Sequence, residues 1–205
     1  MFQNLYPDEE YRSSYEIPYE SYYQKGFRGI LFDVDNTLVE HDQPVTIEAI
    51  ALFEKLRKIG FEVCIISNNK EPRVKPLADT LGAKYVYKAD KPSAKGYVQG
   101  MEHMGTTASN TMFVGDQIFT DIWGAKRAGV YAVLVHPIAK HEEIQIVLKR
   151  KLEWFVLRRY HKKRSYLDAV RKICRKADDL AALFFCNMPD TPWKRENRYS
   201  FVGTV

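Results

Sequence analysis

From Phe27 to Val135, short apolar runs alternate with longer segments of helical periodicity, and this regular alternation restricts the possible folds of the chain. The five apolar runs lie at 29–34, 61–67, 84–89, 111–114 and 131–135. The segments after the first four runs are predicted as helices, over 46–59, over 73–81, over 93–104 and up to residue 128. Such alternation is typical of an α/β domain with a doubly wound parallel sheet. We therefore expect a Rossmann-like sheet with five core strands.

Capping residues mark the ends of the predicted helices. Thr46 is placed to cap the first helix, and Gly60 to end it. Gly82 and Gly105 follow the next two helices in the same way. Pro76 is awkward inside the second helix because proline lacks the backbone N–H that a helix interior needs.

The segments on either side of this domain have a different character. Residues 1–26 are rich in tyrosine and acids and contain two prolines, which favours an irregular arm with one short helix. We expect a main domain over 27–140 and a basic helical extension over 141–185. In that extension we expect a helix over Ile144–Tyr160 and a second helix capped by Ser165. Residues 186–205 are predicted as a loose tail.

The net charge of +5 is concentrated in the C-terminal extension. Between Lys149 and Lys176 there are 12 lysines and arginines but only two acids, so the rest of the chain is net negative. Such a patch indicates an anionic partner, either lipid headgroups or nucleic acid, although no nucleic-acid-binding motif accompanies it. Trp154–Leu157 lie beside these cations, as suits a membrane interface; packing of this segment on the domain explains the pattern equally well.

The sequence also bears on the compartment of the protein. No stretch reaches the roughly 20 apolar residues that a membrane span requires. Acidic residues and no apolar run follow Met1, so we predict neither a secretory signal nor a transit peptide. We expect a cytoplasmic protein that can bind the inner membrane face peripherally.

The three cysteines form no CxxC pair, and Cys64, within an apolar run, is expected to be a buried and inert thiol.

Polar residues follow the predicted strands at the points where the strands end. These residues are Asp33 and Asp35, Ser67 and Asn68, Lys91, and Asp116 with Asp121 five residues later. Because ligands of a parallel sheet bind outside the carboxyl ends of its strands, we expect these side chains to converge.

The convergence of carboxylates points to a metal site and to phosphoryl chemistry. Carboxylates that meet at one point repel each other, and Mg²⁺ bound by oxygen ligands relieves that repulsion. Ser67 and Lys91 are suited to hold a phosphoryl group, by a hydrogen bond and by charge. Asp33 can attack phosphorus. Asp35 can protonate the leaving group if the chain bends at this point and directs the Asp35 side chain towards the same site.

These residues match a family. The run Asp33-Val-Asp35-Asn36-Thr37 resembles the first motif of the haloacid dehalogenase superfamily of phosphatases. Three further sets of residues resemble its second, third and fourth motifs in the right order: Ser67, Lys91, and Gly115-Asp116 with Asp121. A lone DxDxT motif is weak evidence, but four ordered motifs at strand ends are strong evidence.

The resemblance implies a role for each residue. Asp33 is implied to be the nucleophile and a metal ligand, and Asp35 the general acid and base, which binds metal through its backbone carbonyl. Asp116 is implied to bind Mg²⁺, and Asp121 to support it directly or through water. Ser67 and Lys91 are implied to hold the phosphoryl group. Thr37 and Asn68 are further candidates for phosphate binding, although turn chemistry explains both equally well.

A narrower resemblance concerns one branch of the superfamily. The segments VDNTLVEHDQP, IISNNKEPRV, ADKP and VGDQIFTDIWGAKRAG resemble the YqeG-like branch, which is similar to the mitochondrial phosphatidylglycerophosphate phosphatase of yeast. The resemblance covers residues 1–164, with no counterpart for 165–205. The spacing between motifs leaves no room for a lid domain, so we expect a capless enzyme whose open site suits large substrates.

We therefore predict a Mg²⁺-dependent phosphomonoesterase that acts on phosphatidylglycerophosphate in phospholipid synthesis. One alternative is a nucleotide or polynucleotide phosphatase, which uses the same site. Another is a non-catalytic phosphoacceptor or binding module. The presence of Asp35 disfavours this alternative, because such a module needs no general acid two residues after its phosphorylated aspartate. His41 lies close enough in sequence to the site to contact substrate.

Overall fold

The fold is known from a computed structural model, which describes residues 3–41, 43–139 and 152–169. The chain divides into two compact units, Met1–Leu157 and Arg158–Val205. Among the described residues of the first unit, the strands are β1 (Glu9–Tyr11), β2 (Gly29–Phe32), β3 (Glu62–Ile66), β4 (Lys84–Val86), β5 (Thr111–Gly115) and β6 (Tyr131–Val135). The α-helices are α1 (Tyr19–Gln24), α2 (Ile47–Ile59), α3 (Glu71–Leu81), α4 (Lys95–Met104) and α5 (Trp123–Arg127).

The described strands form one parallel sheet in the order β1-β6-β5-β2-β3-β4. Alternate residues of β2 point to opposite faces, so Ile30 and Phe32 pack in one apolar cluster with α2 and α3. Leu31 packs in a second cluster, which includes Tyr97 of α4 and Ala125 of α5. Helices therefore cover both faces of the sheet, which confirms the predicted doubly wound α/β fold.

The predicted N-terminal arm differs from the structure, because it supplies a sixth strand to the sheet. Strand β1 pairs with β6, with Glu9 opposite Val133 and Tyr11 opposite Val135. Asp8 fixes this edge: its Oδ2 accepts a hydrogen bond of 2.8 Å from the Ala132 amide. The expectation of an irregular arm was wrong because a three-residue edge strand with the sequence Glu-Glu-Tyr carries no apolar alternation. The short helix expected in the arm is α1.

The helix ends largely follow the capping residues. Thr46 Oγ1 accepts a hydrogen bond from the Ala49 amide at 3.2 Å, and Gly60 ends α2 with a φ of 106°. Helix α3 begins at Glu71, two residues earlier than predicted, and continues through Pro76. After β5 the chain first forms a π-helical turn, Ile118–Ile122, and only then α5.

The described part of the C-terminal extension is helical over 152–169. Residues 152–157 belong to the first unit, and Arg158 begins the second. The predicted helix start at Ser165 is wrong, because Ser165 lies within this helical stretch, which contains neither glycine nor proline. An exposed serine is tolerated inside a helix. The predicted helical segments before residue 152 and after residue 169, and the predicted tail, lie outside the described residues.

Two further predictions concern inserted and membrane-spanning segments. Among the described residues, β2 and β3 are separated by a loop and α2 alone, and β4 and α4 by the loop 87–94, which agrees with the absence of a lid domain. Within the described ranges, no helix has the length and apolar character needed to cross a bilayer.

Candidate active site

The carboxyl ends of β2 and β5 bring two of the predicted aspartates together. The strands are neighbours in the sheet, with Phe32 opposite Val114. The pairing continues one residue further, where the Asp33 amide donates a hydrogen bond of 2.9 Å to the Val114 carbonyl. Asp116 lies just beyond the end of β5. The carboxylates of Asp33, Asp116 and Asp121 approach each other within 4.8 Å, and all three side chains are buried.

Lys91 supplies positive charge to this cluster. Its Nζ donates hydrogen bonds of 2.5 Å to Asp33 Oδ1 and 2.7 Å to Asp121 Oδ1. Burial alone lowers the pKa of Lys91, but the negative charges of Asp121 and Asp33 outweigh it and hold that pKa well above its usual value. Lys91 is therefore a fixed cation between two carboxylates.

The surroundings of Asp33, the predicted nucleophile, also shift its pKa. Burial raises the pKa of Asp33 to about 7; the nearby charge of Lys91 acts in the opposite direction, and that of Asp121 in the same direction as burial. Thr37 Oγ1 donates a long hydrogen bond of 3.4 Å to Asp33 Oδ2. A carboxylate whose ionised form is disfavoured by burial is a group that a bound cation would stabilise.

The chain turns sharply after β2, over residues 34–39. Asn36 adopts a left-handed φ of 64°. The Val34 carbonyl accepts hydrogen bonds from the amides of Thr37 and Leu38 at 3.2 and 2.9 Å. The N-terminal arm supports this turn, since Ser14 Oγ donates to the Thr37 carbonyl at 2.7 Å. The turn is therefore stabilised by its own backbone hydrogen bonds and by a hydrogen bond from the N-terminal arm.

Asp35 is held by residues from the segment after β3. Asn69 Nδ2 donates to Asp35 Oδ2 at 2.7 Å, and Arg73 Nη2 donates to Asp35 Oδ1 at 2.9 Å. His41 Nδ1 lies 3.7 Å from the same Oδ1. Arg73 was not singled out as a site residue in the sequence; it lies in the first turn of α3, which begins at Glu71.

Ser67 and Asn68 lie at the end of β3, where the sequence places them. Ser67 is buried, and its Oγ accepts a hydrogen bond of 3.1 Å from the Asn69 amide; a hydroxyl in this position still has one hydrogen to donate. The side chain of Asn68 binds the Lys91 backbone on both sides: Oδ1 accepts from the amide at 2.7 Å and Nδ2 donates to the carbonyl at 3.1 Å. In the structure Asn68 thus positions Lys91.

The three buried aspartates fit a divalent metal ion. They offer carboxylate oxygens, which hard cations prefer, and they lie close enough to share one ion. One lysine balances only part of their charge. Asp33 and Asp116 would hold the metal through their carboxylates, with Asp121 in contact directly or through water. The backbone carbonyl of Asp35 stays a further predicted ligand.

Comparisons with known proteins identify the family of this chain. A family profile for haloacid dehalogenase-like hydrolases matches residues 41–129. The "Probable phosphatase YqeG" of Bacillus subtilis is 36% identical over 152 residues, which cover 74% of this chain and 88% of that protein. The "Phosphatidylglycerophosphate phosphatase 1, chloroplastic/mitochondrial" of Arabidopsis thaliana is 30% identical over 72% of this chain, but the match spans only 45% of that longer protein.

Among solved structures, the cobalt-bound deoxy-D-mannose-octulosonate 8-phosphate phosphatase of Haemophilus influenzae is similar over 67% of this chain and 91% of its own, with 17% identity and a TM-score of 0.44. The family assignment rests on the sequence relatives, of which the Bacillus subtilis protein matches most of both chains. This chain therefore belongs to the haloacid dehalogenase-like phosphatases, in the branch that includes YqeG.

Proposed function

We propose that this protein is a Mg²⁺-dependent phosphomonoesterase that acts through a phosphoaspartate on Asp33. The observation that carries the proposal is the buried cluster in which the Asp33 carboxylate meets Lys91 and two further carboxylates, those of Asp116 and Asp121. The phosphatase relatives favour this function over that of a non-catalytic phosphoacceptor.

In the first half-reaction, a carboxylate oxygen of Asp33 attacks the phosphorus atom of the substrate. The bond between phosphorus and the ester oxygen breaks, and Asp35 gives its proton to that oxygen, so an alcohol leaves. Lys91 and the Ser67 hydroxyl donate to the phosphoryl oxygens as their charge develops. Mg²⁺, when bound, neutralises charge on the phosphoryl group.

In the second half-reaction, water attacks the phosphorus atom of the phosphoaspartate. Asp35, now ionised, takes a proton from that water, and the bond between phosphorus and Asp33 breaks. Inorganic phosphate leaves, and both aspartates return to their starting states. Asn69 and Arg73 keep the Asp35 carboxyl oriented through both steps by their hydrogen bonds to its two oxygens.

We further propose phosphatidylglycerophosphate as the substrate. The Arabidopsis relative carries that substrate in its name, and a site without an inserted lid domain suits a headgroup that projects from a membrane. Each unit offers groups suited to an anionic bilayer. In the first, Trp154 and Phe155 are 54% and 65% exposed; in the second, residues 158–169 include four exposed cations and an exposed Tyr166.

The test is phosphate release from a panel of phospholipid phosphates, nucleotides and sugar phosphates, with and without a chelator. The proposal predicts that phosphatidylglycerophosphate is hydrolysed fastest, and that chelation stops the reaction until Mg²⁺ is restored. Faster hydrolysis of nucleotides would support the nucleotide phosphatase alternative instead. Turnover that survives exhaustive chelation would contradict the metal requirement.

A further inference from the structure

Glu153 is a buried acid outside the carboxylate cluster described above. Its side chain lies in the first unit and the residue is only 4% exposed. Glu153 Oε1 accepts a hydrogen bond of 2.7 Å from the backbone amide of Ile118. Burial of a carboxylate is unfavourable unless it is hydrogen-bonded, so a short bond to one particular amide marks a specific contact.

The amide of Ile118 belongs to the turn that links two of the metal-binding aspartates. Ile118 begins the π-helical turn after Asp116, and Asp121 lies within the same turn. Amides at the start of a helical segment have no backbone acceptor within it. Here two successive amides find carboxylates: Gln117 donates to Asp121 Oδ2 at 3.0 Å, and Ile118 donates to Glu153. The two bonds together fix the start of the turn.

Packing of residues 152–157 holds Glu153 in this position. Val156 follows three residues later on the same helical face and lies in one apolar cluster with Ile118 and Ile122. Glu153 and Asp116 also line the same cavity, of about 270 Å³. The contact between Glu153 and the turn is therefore anchored in the core next to the carboxylate cluster.

We propose that Glu153 is a positioning residue for the metal site. By holding the amide of Ile118, it fixes the turn that places Asp121 relative to Asp116. The inference rests on the proposed function, because it assigns Glu153 a part in the divalent-metal site of that function. The contact needs an acceptor oxygen at this distance and not a charge, so glutamine can replace Glu153 and leucine cannot.

The experiment compares Glu153→Gln and Glu153→Leu in the full chain, with Glu102→Leu on the exposed face of α4 as a matched control. Calorimetry measures Mg²⁺ affinity, and hydrogen exchange measures protection of the Ile118 amide. We expect Glu153→Leu to weaken Mg²⁺ binding by about 10- to 100-fold, the usual loss when a residue that supports metal ligands is removed. The Ile118 amide should exchange faster in the same variant. Glu153→Gln and Glu102→Leu should behave like wild type in both measurements.

A folded Glu153→Leu variant with wild-type Mg²⁺ affinity or wild-type Ile118 protection overturns the proposal. If that variant does not fold, Glu153→Asp replaces it, since aspartate keeps the charge but withdraws the carboxylate by one methylene. The proposal then predicts weaker Mg²⁺ binding for Glu153→Asp than for Glu153→Gln, and the reverse order overturns it. Wild-type protein that binds Mg²⁺ but releases no phosphate from any substrate contradicts the proposed function alone; wild-type protein that binds no Mg²⁺ contradicts both.

Discussion

The ammonium group of Lys91 donates a hydrogen bond of 2.5 Å to Asp33 Oδ1 inside the protein, where only 4% of the Lys91 side chain is exposed. A buried cation at this distance holds the Asp33 carboxylate in place, and in the proposed mechanism it also donates to the phosphoryl group. It compensates the charge of Asp121 as well, so we expect Lys91 to serve both the stability of the site and its chemistry.

Removal of the Lys91 charge should therefore affect activity and stability together. For Lys91→Met, we expect kcat to fall by about 10²- to 10³-fold, the usual loss for one donor to a developing charge. We also expect the free energy of unfolding in metal-free buffer to fall by about 3–5 kcal/mol, because buried carboxylates lose their partner. Phosphate release and urea denaturation measure the two effects. Lys95→Met, at an exposed position, is the control; wild-type kcat in Lys91→Met would refute the role of this lysine.

The pKa of Asp33 predicts how stability depends on pH. Burial raises this pKa to about 7, against about 3.9 in an unfolded chain. The folded protein thus holds the proton more tightly, and ionisation of Asp33 opposes folding; this cost is absent below about pH 4 and complete above about pH 7. Asp33→Asn avoids the cost. In metal-free buffer, the stability of this variant relative to wild type should rise between pH 4 and pH 8.

Urea denaturation at several pH values measures that difference. Asp79→Asn, at an exposed carboxylate paired with Lys75, controls for general effects of charge. A difference between Asp33→Asn and wild type that stays constant across this range would show that Asp33 is not destabilised by burial.

The second unit should contribute to membrane binding through charge. Four exposed cations of its described part are Arg158, Arg159, Lys162 and Lys163. Arg164 is left unchanged because it donates to the Tyr160 hydroxyl at 2.8 Å. Each cation near an anionic bilayer contributes about 1 kcal/mol, and salt screens this attraction. Replacement of all four by glutamine should weaken sedimentation with anionic liposomes and slow hydrolysis of a phospholipid phosphate in them.

A soluble phosphoester should be hydrolysed by that variant as by wild type. The matched control removes four exposed lysines elsewhere by the same substitution: Lys25, Lys55, Lys58 and Lys84. If the control loses liposome binding to the same extent, net charge and not this segment is responsible. If hydrolysis of both substrates slows equally, the segment acts on the site itself and not on membrane binding.

Cys64 should be inert to thiol reagents in the folded protein. It is buried in β3, and burial raises its pKa to about 12 despite the opposing charge of Lys84. Because the thiolate is the reactive form, alkylation at pH 8 should be slow until the protein unfolds. Peptide mapping by mass spectrometry after iodoacetamide treatment measures Cys64 separately from the other cysteines. Fast modification without denaturant would contradict its burial.

The main sheet could be predicted from sequence because its strands are continuous apolar runs that glycines and caps separate from helices. Strand β1 could not, because its residues are polar and it depends on pairing with the edge of β6. The continuous helix at Ser165 escaped prediction for a related reason: a capping residue permits a helix start but does not require one.

The convergence of the three buried aspartates and Lys91 follows from the strand order, and sequence could predict it. The contacts that support them could not be predicted, since they join distant segments. Arg73 reaches Asp35 from α3, and Glu153 reaches Ile118 across 35 residues of sequence. Asn68 illustrates the same limit, because its position beside the site is evident from sequence but its bonds to the Lys91 backbone are not.

In the proposed mechanism Asp33 becomes phosphorylated during turnover, and chemical trapping can detect this phosphoaspartate. Borohydride reduces an acyl phosphate on aspartate to homoserine, which peptide mass spectrometry locates. The enzyme is quenched during turnover with phosphatidylglycerophosphate and Mg²⁺, reduced and digested. We expect homoserine at position 33 only when substrate and Mg²⁺ are both present, and none in Asp33→Asn. Turnover without modification at position 33, or modification at another aspartate, would contradict it.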